Sequence, residues 1–263
     1  MARYQISMLN MIEYAGPTGD GADAPVLLIV HGLYGSARNW GAVAKRLAKN
    51  RRVVSVDMRN HGASPWCNTH SYQDMADDLV EIITYLGGNV DVMGHSMGGK
   101  AAMVCALQSP ALVNRLIVVD IAPVAYTHSQ LPYISAMQAV DLATVQKRSD
   151  VSEMLAEYVD DAALVSFFAQ SVDVAAKRWR LNLEVLADQM PLIMGFPEVS
   201  GVFEGGTLFL TGGQSPYVTR NDRGAIKTFF PKARFASIKG AGHWLHAEKP
   251  REVIATVDAW LGG

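Results

Sequence analysis

The string G-H-S-M-G-G, residues 94–99, sets Ser96 among small residues, after the apolar run V-D-V-M and before a stretch that can form a helix from Met97. A serine hydroxyl is a weak nucleophile until a base removes its proton, and at a sharp strand-to-helix turn it is presented to an acyl carbon. Such a turn brings neighbouring backbone into contact, and Gly94 and Gly98 leave room for it. The same letters fit a phosphate-binding loop, G-x-x-x-x-G-K, from Gly94 to Lys100. That reading fails at Ala101, which stands where a Ser or Thr must hold Mg²⁺.

A base must reach the serine. G-A-G-H-W-L-H-A-E-K-P, residues 240–250, offers two histidines. His243 lies in a glycine-bearing loop after a strand-like run and is assigned the base, whereas His246 points into the start of the next helix. His61, His70, His95 and His128 have no strand-end position that recommends them. An oxyanion intermediate needs two converging N–H donors. Met97, directly after the serine, supplies one, and the loop V-H-G-L-Y-G, residues 30–35, supplies the other at Leu33. His31 in that loop reads as a hydrogen-bonded scaffold residue. No metal and no cofactor is expected: the H-x-x-H pair His243 and His246 lacks partner ligands, and Cys67 and Cys105 form no C-x-x-C motif.

These residues need a frame that brings them together. Apolar runs at 26–30, 53–56, 90–93, 116–119 and 208–210, with a more polar one at 234–238, read as short strands. Their β-branched, non-alternating character indicates burial on both faces, as in a parallel sheet covered by helices. Helical patterns at 40–47, 72–86, 97–108 and 250–261 alternate with them, which predicts an open α/β sheet. Residues 1–14 are expected to add antiparallel edge strands. The rhythm breaks from Pro123 to about Gly205, where L-P-Y-I-S-A-M-Q-A-V, S-E-M-L-A-E-Y-V and K-R-W-R-L-N-L-E-V-L suggest successive helices with no strand-like run. That stretch is too long and apolar for a loop and predicts a helical cap over the sheet's C-terminal edge, inserted after the sixth core strand. The expected division is a core of 1–122 and 206–263 with a cap of 123–205. The cap's Tyr133, Met137, Phe167, Phe168, Trp179, Met190, Met194 and Phe196 can line a pocket or form the cap's own core.

Composition narrows the partners. In 263 residues, 23 basic side chains face 25 acidic ones, for a formal net charge of −2, and 49% of residues are hydrophobic. No basic cluster offers a footprint for nucleic acid or anionic lipid, and no apolar run is long enough to span a membrane. The N-terminus carries no export signal, and two cysteines without a disulfide pattern suit a reducing compartment, so the expected location is the cytoplasm.

The strings H-G-L-Y-G-S-A-R-N-W, D-M-R-N-H-G-A-S, G-H-S-M-G-G-K-A-A-M and G-A-G-H-W-L-H-A-E-K-P together resemble the α/β-hydrolase superfamily, and the likeness covers nearly the whole chain. Within it the chain looks most like small capped bacterial esterases and thioesterases, and like mitochondrial abhydrolase-domain proteins. Their distinctive segment is D-x-R-N-H-G-x-S, here Asp57 to Ser64. The resemblance implies a Ser-His-Asp triad in the order serine, acid, histidine.

The acid departs from the commonest family pattern. After L-F-L-T-G-G the chain reads Gln214-Ser215-Pro216, with glutamine at the usual carboxylate position. Asp120, at the end of L-I-V-V-D, is favoured, an arrangement some of the resembling esterases share; Asp222 is the alternative, otherwise read as a helix N-terminal residue. The expected activity is cleavage of small-molecule carboxylic esters, or acyl thioesters, through an acyl-enzyme. Perhydrolysis or C–C bond hydrolysis uses the same three residues, and a non-catalytic hydrolase-fold binding protein is the reading from another class.

Overall fold

The computed structural model describes residues 8–17 and 24–262. In chain order the strands are β1 (Met11–Tyr14), β2 (Leu27–Val30), β3 (Val53–Val56), β4 (Val90–His95), β5 (Val113–Val119), a short ribbon of β6 (Val172–Asp173) with β7 (Arg178–Trp179), β8 (Gly206–Gly212) and β9 (Ala233–Ile238). All but the ribbon form one seven-stranded sheet, ordered β1-β3-β2-β4-β5-β8-β9. Only β1 runs antiparallel, against β3. The rest of the expected N-terminal edge, within residues 1–7, lies outside the described residues. Among the described residues the insertion follows the fifth strand of the sheet, β5, where the sequence reading expected it after a sixth.

Every residue of β2, β3 and β4 is buried. The reason is a core on each face of the sheet. Leu28, Val30, Val92, Leu116 and Val118 pack on one side, with residues of α2 (Tyr72–Tyr85) and α3 (Met97–Gln108). Their neighbours Leu27, Ile29, Met93, Ile117 and Val119 pack on the other, with residues of α1 (Gly41–Leu47) and the C-terminal helix Pro250–Leu261. Successive side chains point to opposite faces, so a strand covered on both sides loses its polar alternation.

Between Pro123 and Gly205 the chain forms α4 (Leu131–Ala139), α5 (Arg148–Leu155), α6 (Ala162–Ala169), α7 (Leu183–Asp188) and α8 (Met190–Met194). The expectation of helices alone is corrected at K-R-W-R-L-N-L-E-V-L. Lys177 takes a left-handed backbone, φ 51°, which a continuing helix does not tolerate. Trp179 then pairs with Val172, and residues 180–182 pair with 60–62 of the core, through Gly62 N–H to Arg180 O at 2.8 Å and Asn182 N–H to Asn60 O at 3.0 Å. Those partners take the hydrogen bonds a helix would use, and α7 starts only at Leu183.

Candidate active site

Parallel register brings the site together. In β4 and β5, Gly94 faces Val118 and His95 faces Val119, so Ser96 and Asp120 leave adjacent strands at one level. Ser96 N–H donates to Val119 O at 3.0 Å, and Asp120 N–H to Leu210 O of β8 at 2.9 Å. Both have positive φ, 51° at Ser96 and 54° at Asp120, a costly backbone for side-chain-bearing residues that clusters at functional sites. The turn at Ser96 depends on its glycines. A Cβ on Gly94 would overlap the Gly98 carbonyl, and one on Gly98 would overlap the His31 carbonyl.

His243 leaves the loop after β9 and meets both residues. Its Nε2 is 3.1 Å from Ser96 Oγ, and its Nδ1 is 2.7 Å from Asp120 Oδ2. A carboxylate only accepts, so Nδ1 carries the proton and Nε2 is left to accept from the serine hydroxyl. Asp120 is fully buried; its other oxygen accepts from Gly212 N–H at 2.9 Å, and Ser215 Oγ donates to Oδ2. The loop is tethered by Glu248, which accepts from Gly242 N–H at 2.7 Å, and by His95, whose Nε2 donates to the His243 carbonyl at 2.9 Å. The Tyr217 ring stacks on the imidazole, centroids 4.0 Å apart.

Asp222 lies outside this group. It sits at the N-terminus of α9 (Arg223–Phe229), where its carboxylate turns back to Thr219 N–H and Oγ1 at 2.7 and 2.8 Å. Gln214 is exposed and holds the chain through its backbone N–H to Ala241 O.

The loop of residues 31–35 lies against the serine: a Cβ on Gly32 would come within 3.2 Å of Ser96 Cβ. Leu33 and Met97 both line the cavity at Ser96. The loop's shape is set by two buried histidines. His31 Nδ1 donates to Gly32 O and its Nε2 accepts from Met58 N–H; His61 Nδ1 donates to Arg59 O and its Nε2 accepts from Tyr34 N–H. The D-x-R-N-H-G-x-S segment anchors that arrangement. Asp57 accepts from Ala37 N–H at 2.7 Å and Ala63 N–H at 2.9 Å, while Arg59 grips Asp78 of α2 with two bonds of 2.6 and 2.7 Å. Gly62 is required there, because a Cβ would overlap the Asp57 carboxylate.

Burial makes these histidines poor proton acceptors. It pushes His61 and His246 down to about 3 and lowers His31, His70 and His95, so the fold holds them neutral. His246 is stacked on Trp40 at 4.2 Å, with its Nδ1 unpaired. In the unfolded chain they titrate near the ordinary 6.5. Stability is therefore full above pH 6.5 and is lost progressively as pH falls from there, a window that reaches down to about 3 for His61 and His246. Urea unfolding at pH 7.5, 6.5 and 5.5 is expected to give a falling free energy; a flat profile would mean that these imidazoles are protonated in the folded protein.

A cavity of about 280 Å³ opens on Ser96. Of the eight aromatic and methionine residues singled out in the insertion, Tyr133, Phe167, Phe168 and Met194 line it, as does Tyr126, whereas Met137, Trp179, Met190 and Phe196 pack into the main core. Ser215 and Tyr217 were not singled out by the sequence. Their only local signal is nearness to Gln214, which follows the glycines after Thr211 and replaces the expected carboxylate.

The alpha/beta hydrolase family model matches residues 27–256. The chain is 39% identical over 251 residues to the sn-1-specific diacylglycerol lipase ABHD11 of Mus musculus, covering 91% of this chain and 82% of that one. It is 37% identical over 246 residues to esterase YbfF of Escherichia coli, covering 91% and 93%. A solved marine microorganism esterase superposes with a TM-score of 0.89 at 34% identity, covering 96% of this chain and 99% of that one. The chain belongs to the α/β-hydrolase family and is a hydrolase of the carboxylesterase type.

Proposed function

We propose that the protein cleaves carboxylic esters through a Ser96–His243–Asp120 triad and an acyl-enzyme intermediate. The observation that carries this is the unbroken line from Ser96 Oγ through both nitrogens of His243 to the buried Asp120 carboxylate, at 3.1 and 2.7 Å. His243 Nε2 takes the hydroxyl proton as Oγ attacks the acyl carbon. Asp120 holds the imidazole in the required tautomer and stabilises the imidazolium. The backbone N–H groups of Leu33 and Met97 receive the oxyanion, His243 returns the proton to the departing alcohol, and water attacks the acyl-enzyme by the same route.

The substrate is a small-molecule ester whose acyl part enters the cavity under the insertion, residues 123–205, which serves as a cap. Thioesters suit the same chemistry. The lipase and esterase names of the relatives support a hydrophobic acyl group, as do Phe167, Phe168 and Met194 in the wall. No helix among the described residues is long and apolar enough to cross a membrane, and Cys67 and Cys105 are both free; a cytoplasmic location is proposed on the second of these.

A turnover panel of p-nitrophenyl esters from acetyl to palmitoyl, with acyl-CoA thioesters alongside, is expected to show hydrolysis with a chain-length optimum. Labelling of Ser96 by a fluorophosphonate with no turnover of any substrate in the panel would instead favour a binding protein.

A further inference from the structure

The steps above give no task to the buried Lys100. Lys100 lies on α3 one turn beyond Ser96, its backbone N–H bonded to Ser96 O at 3.0 Å, and the side chain is 1% exposed. It lines the same cavity as the serine. The ammonium donates to the carbonyls of Met194, at 3.2 Å, and Gly195, where α8 ends, and lies over the Tyr126 ring at 4.7 Å and the Tyr72 ring at 5.6 Å. Among the described residues no carboxylate comes within ion-pair distance of it. An ammonium has three donors, and two are engaged.

We propose that Lys100 forms an anion subsite in the wall of the acyl cavity, which selects acyl chains ending in a carboxylate: the half-esters of short dicarboxylic acids. This rests on the esterase reading of Ser96, whose acyl group would extend toward Lys100. A buried cation facing no counter-charge carries a desolvation cost that a substrate carboxylate would offset. Burial pulls the Lys100 amine down to about 7, and a bound carboxylate would favour its charged form. The titratable neighbours Tyr72 and Tyr126 are pushed up by burial and His128 is pushed down, so all three favour the neutral state. Asp120 is committed to His243, Gly212 and Ser215.

A carboxylate fits better than a phosphate. The two phenols beside the ammonium already donate elsewhere, Tyr72 to Ile193 O at 2.6 Å and Tyr126 to Tyr217 O at 2.7 Å. One remaining donor in an aromatic wall pairs one of a carboxylate's two oxygens, whereas of a phosphate's three terminal oxygens it would leave two unpaired, with more charge to desolvate.

The test compares monomethyl glutarate with dimethyl glutarate, which differ at the far end of the same acyl chain by a charge and a methyl group, the methyl being common to wild type and Lys100→Met. The wild-type protein is expected to favour the monoester by about tenfold or more in kcat/KM, and Lys100→Met to abolish that ratio. Because the ratio is taken within one protein, a loss of folded Lys100→Met does not distort it, and the wild-type comparison stands alone if that variant does not fold. A second arm measures binding of both compounds to Ser96→Ala by calorimetry, with the same preference expected. Turnover of both esters without preference overturns the subsite and leaves the esterase reading intact, with Lys100 then only a clamp on α8. Selective binding to Ser96→Ala with no turnover by the wild type overturns the esterase reading and leaves the subsite standing. Equal binding of both compounds overturns the subsite.

Discussion

Ser96→Ala is expected to lower kcat for ester hydrolysis by about 10⁶-fold, because removing a triad nucleophile leaves only the oxyanion donors and binding to accelerate the reaction. The fold has little stake in the hydroxyl. Ser96 is held by its backbone, through its N–H to Val119 O and its carbonyl to Lys100 N–H, and both bonds survive the substitution. Alanine keeps the Cβ that packs against Gly32. The positive φ is also no worse for alanine than for serine, so the thermal midpoint is expected to move little. The comparison therefore separates chemistry from stability. Retention of a tenth of the wild-type rate, with the midpoint unchanged, would move the nucleophile to another residue and end the proposal that the Ser96–His243 contact is the catalytic one.

Ser96 and His243 stand out in the sequence as candidates because each is marked locally. Gly94 and Gly98 are needed where backbone crosses backbone, and that need falls within two residues of the serine. His243 likewise stands beside Gly242 in the loop off β9. The strands were legible for a different reason. Coverage on both faces removes polar alternation, so L-L-I-V and V-V-S-V stand out as short apolar runs. What the sequence concealed depends on partners far away along the chain. Ser215 donates to Asp120 across 95 positions, and around S-P-Y only the neighbouring Gln214 hints at it. Lys100 looks like part of a phosphate-loop string until its side chain is found under Met194 and Gly195, 94 and 95 positions on. The stretch W-R-L-N reads as helix by its apolar spacing, yet pairing with residues 60–62 holds it extended. Tertiary hydrogen bonds outweigh a helical pattern this short, because an isolated helix of so few residues is marginal in water.

The acid is where a carboxylate's charge can be tested apart from its shape. Asp120→Asn is expected to lower kcat by up to about 10⁴-fold, and Asp222→Asn by less than tenfold. Asparagine keeps the size of the side chain but replaces one oxygen with an NH₂ donor. At position 120 that change has two consequences. The Oδ1 side still faces Gly212 N–H, a donor, so the amide oxygen is drawn there and the NH₂ is turned toward His243 and Ser215. An amide donor facing Nδ1 favours the tautomer with its proton on Nε2, which can no longer accept from Ser96. The imidazolium that forms during attack also loses its counter-charge. Both effects act on the chemical step, so kcat should fall with KM little changed, and the protein should remain folded because the Gly212 bond is retained. At position 222 the carboxylate meets only Thr219, at the solvent-facing start of α9, and removing its charge touches nothing that His243 feels. A crippled Asp222→Asn beside an active Asp120→Asn would reverse the assignment and require the loop after β8 to rearrange until its carboxylate replaced Asp120 at His243 Nδ1.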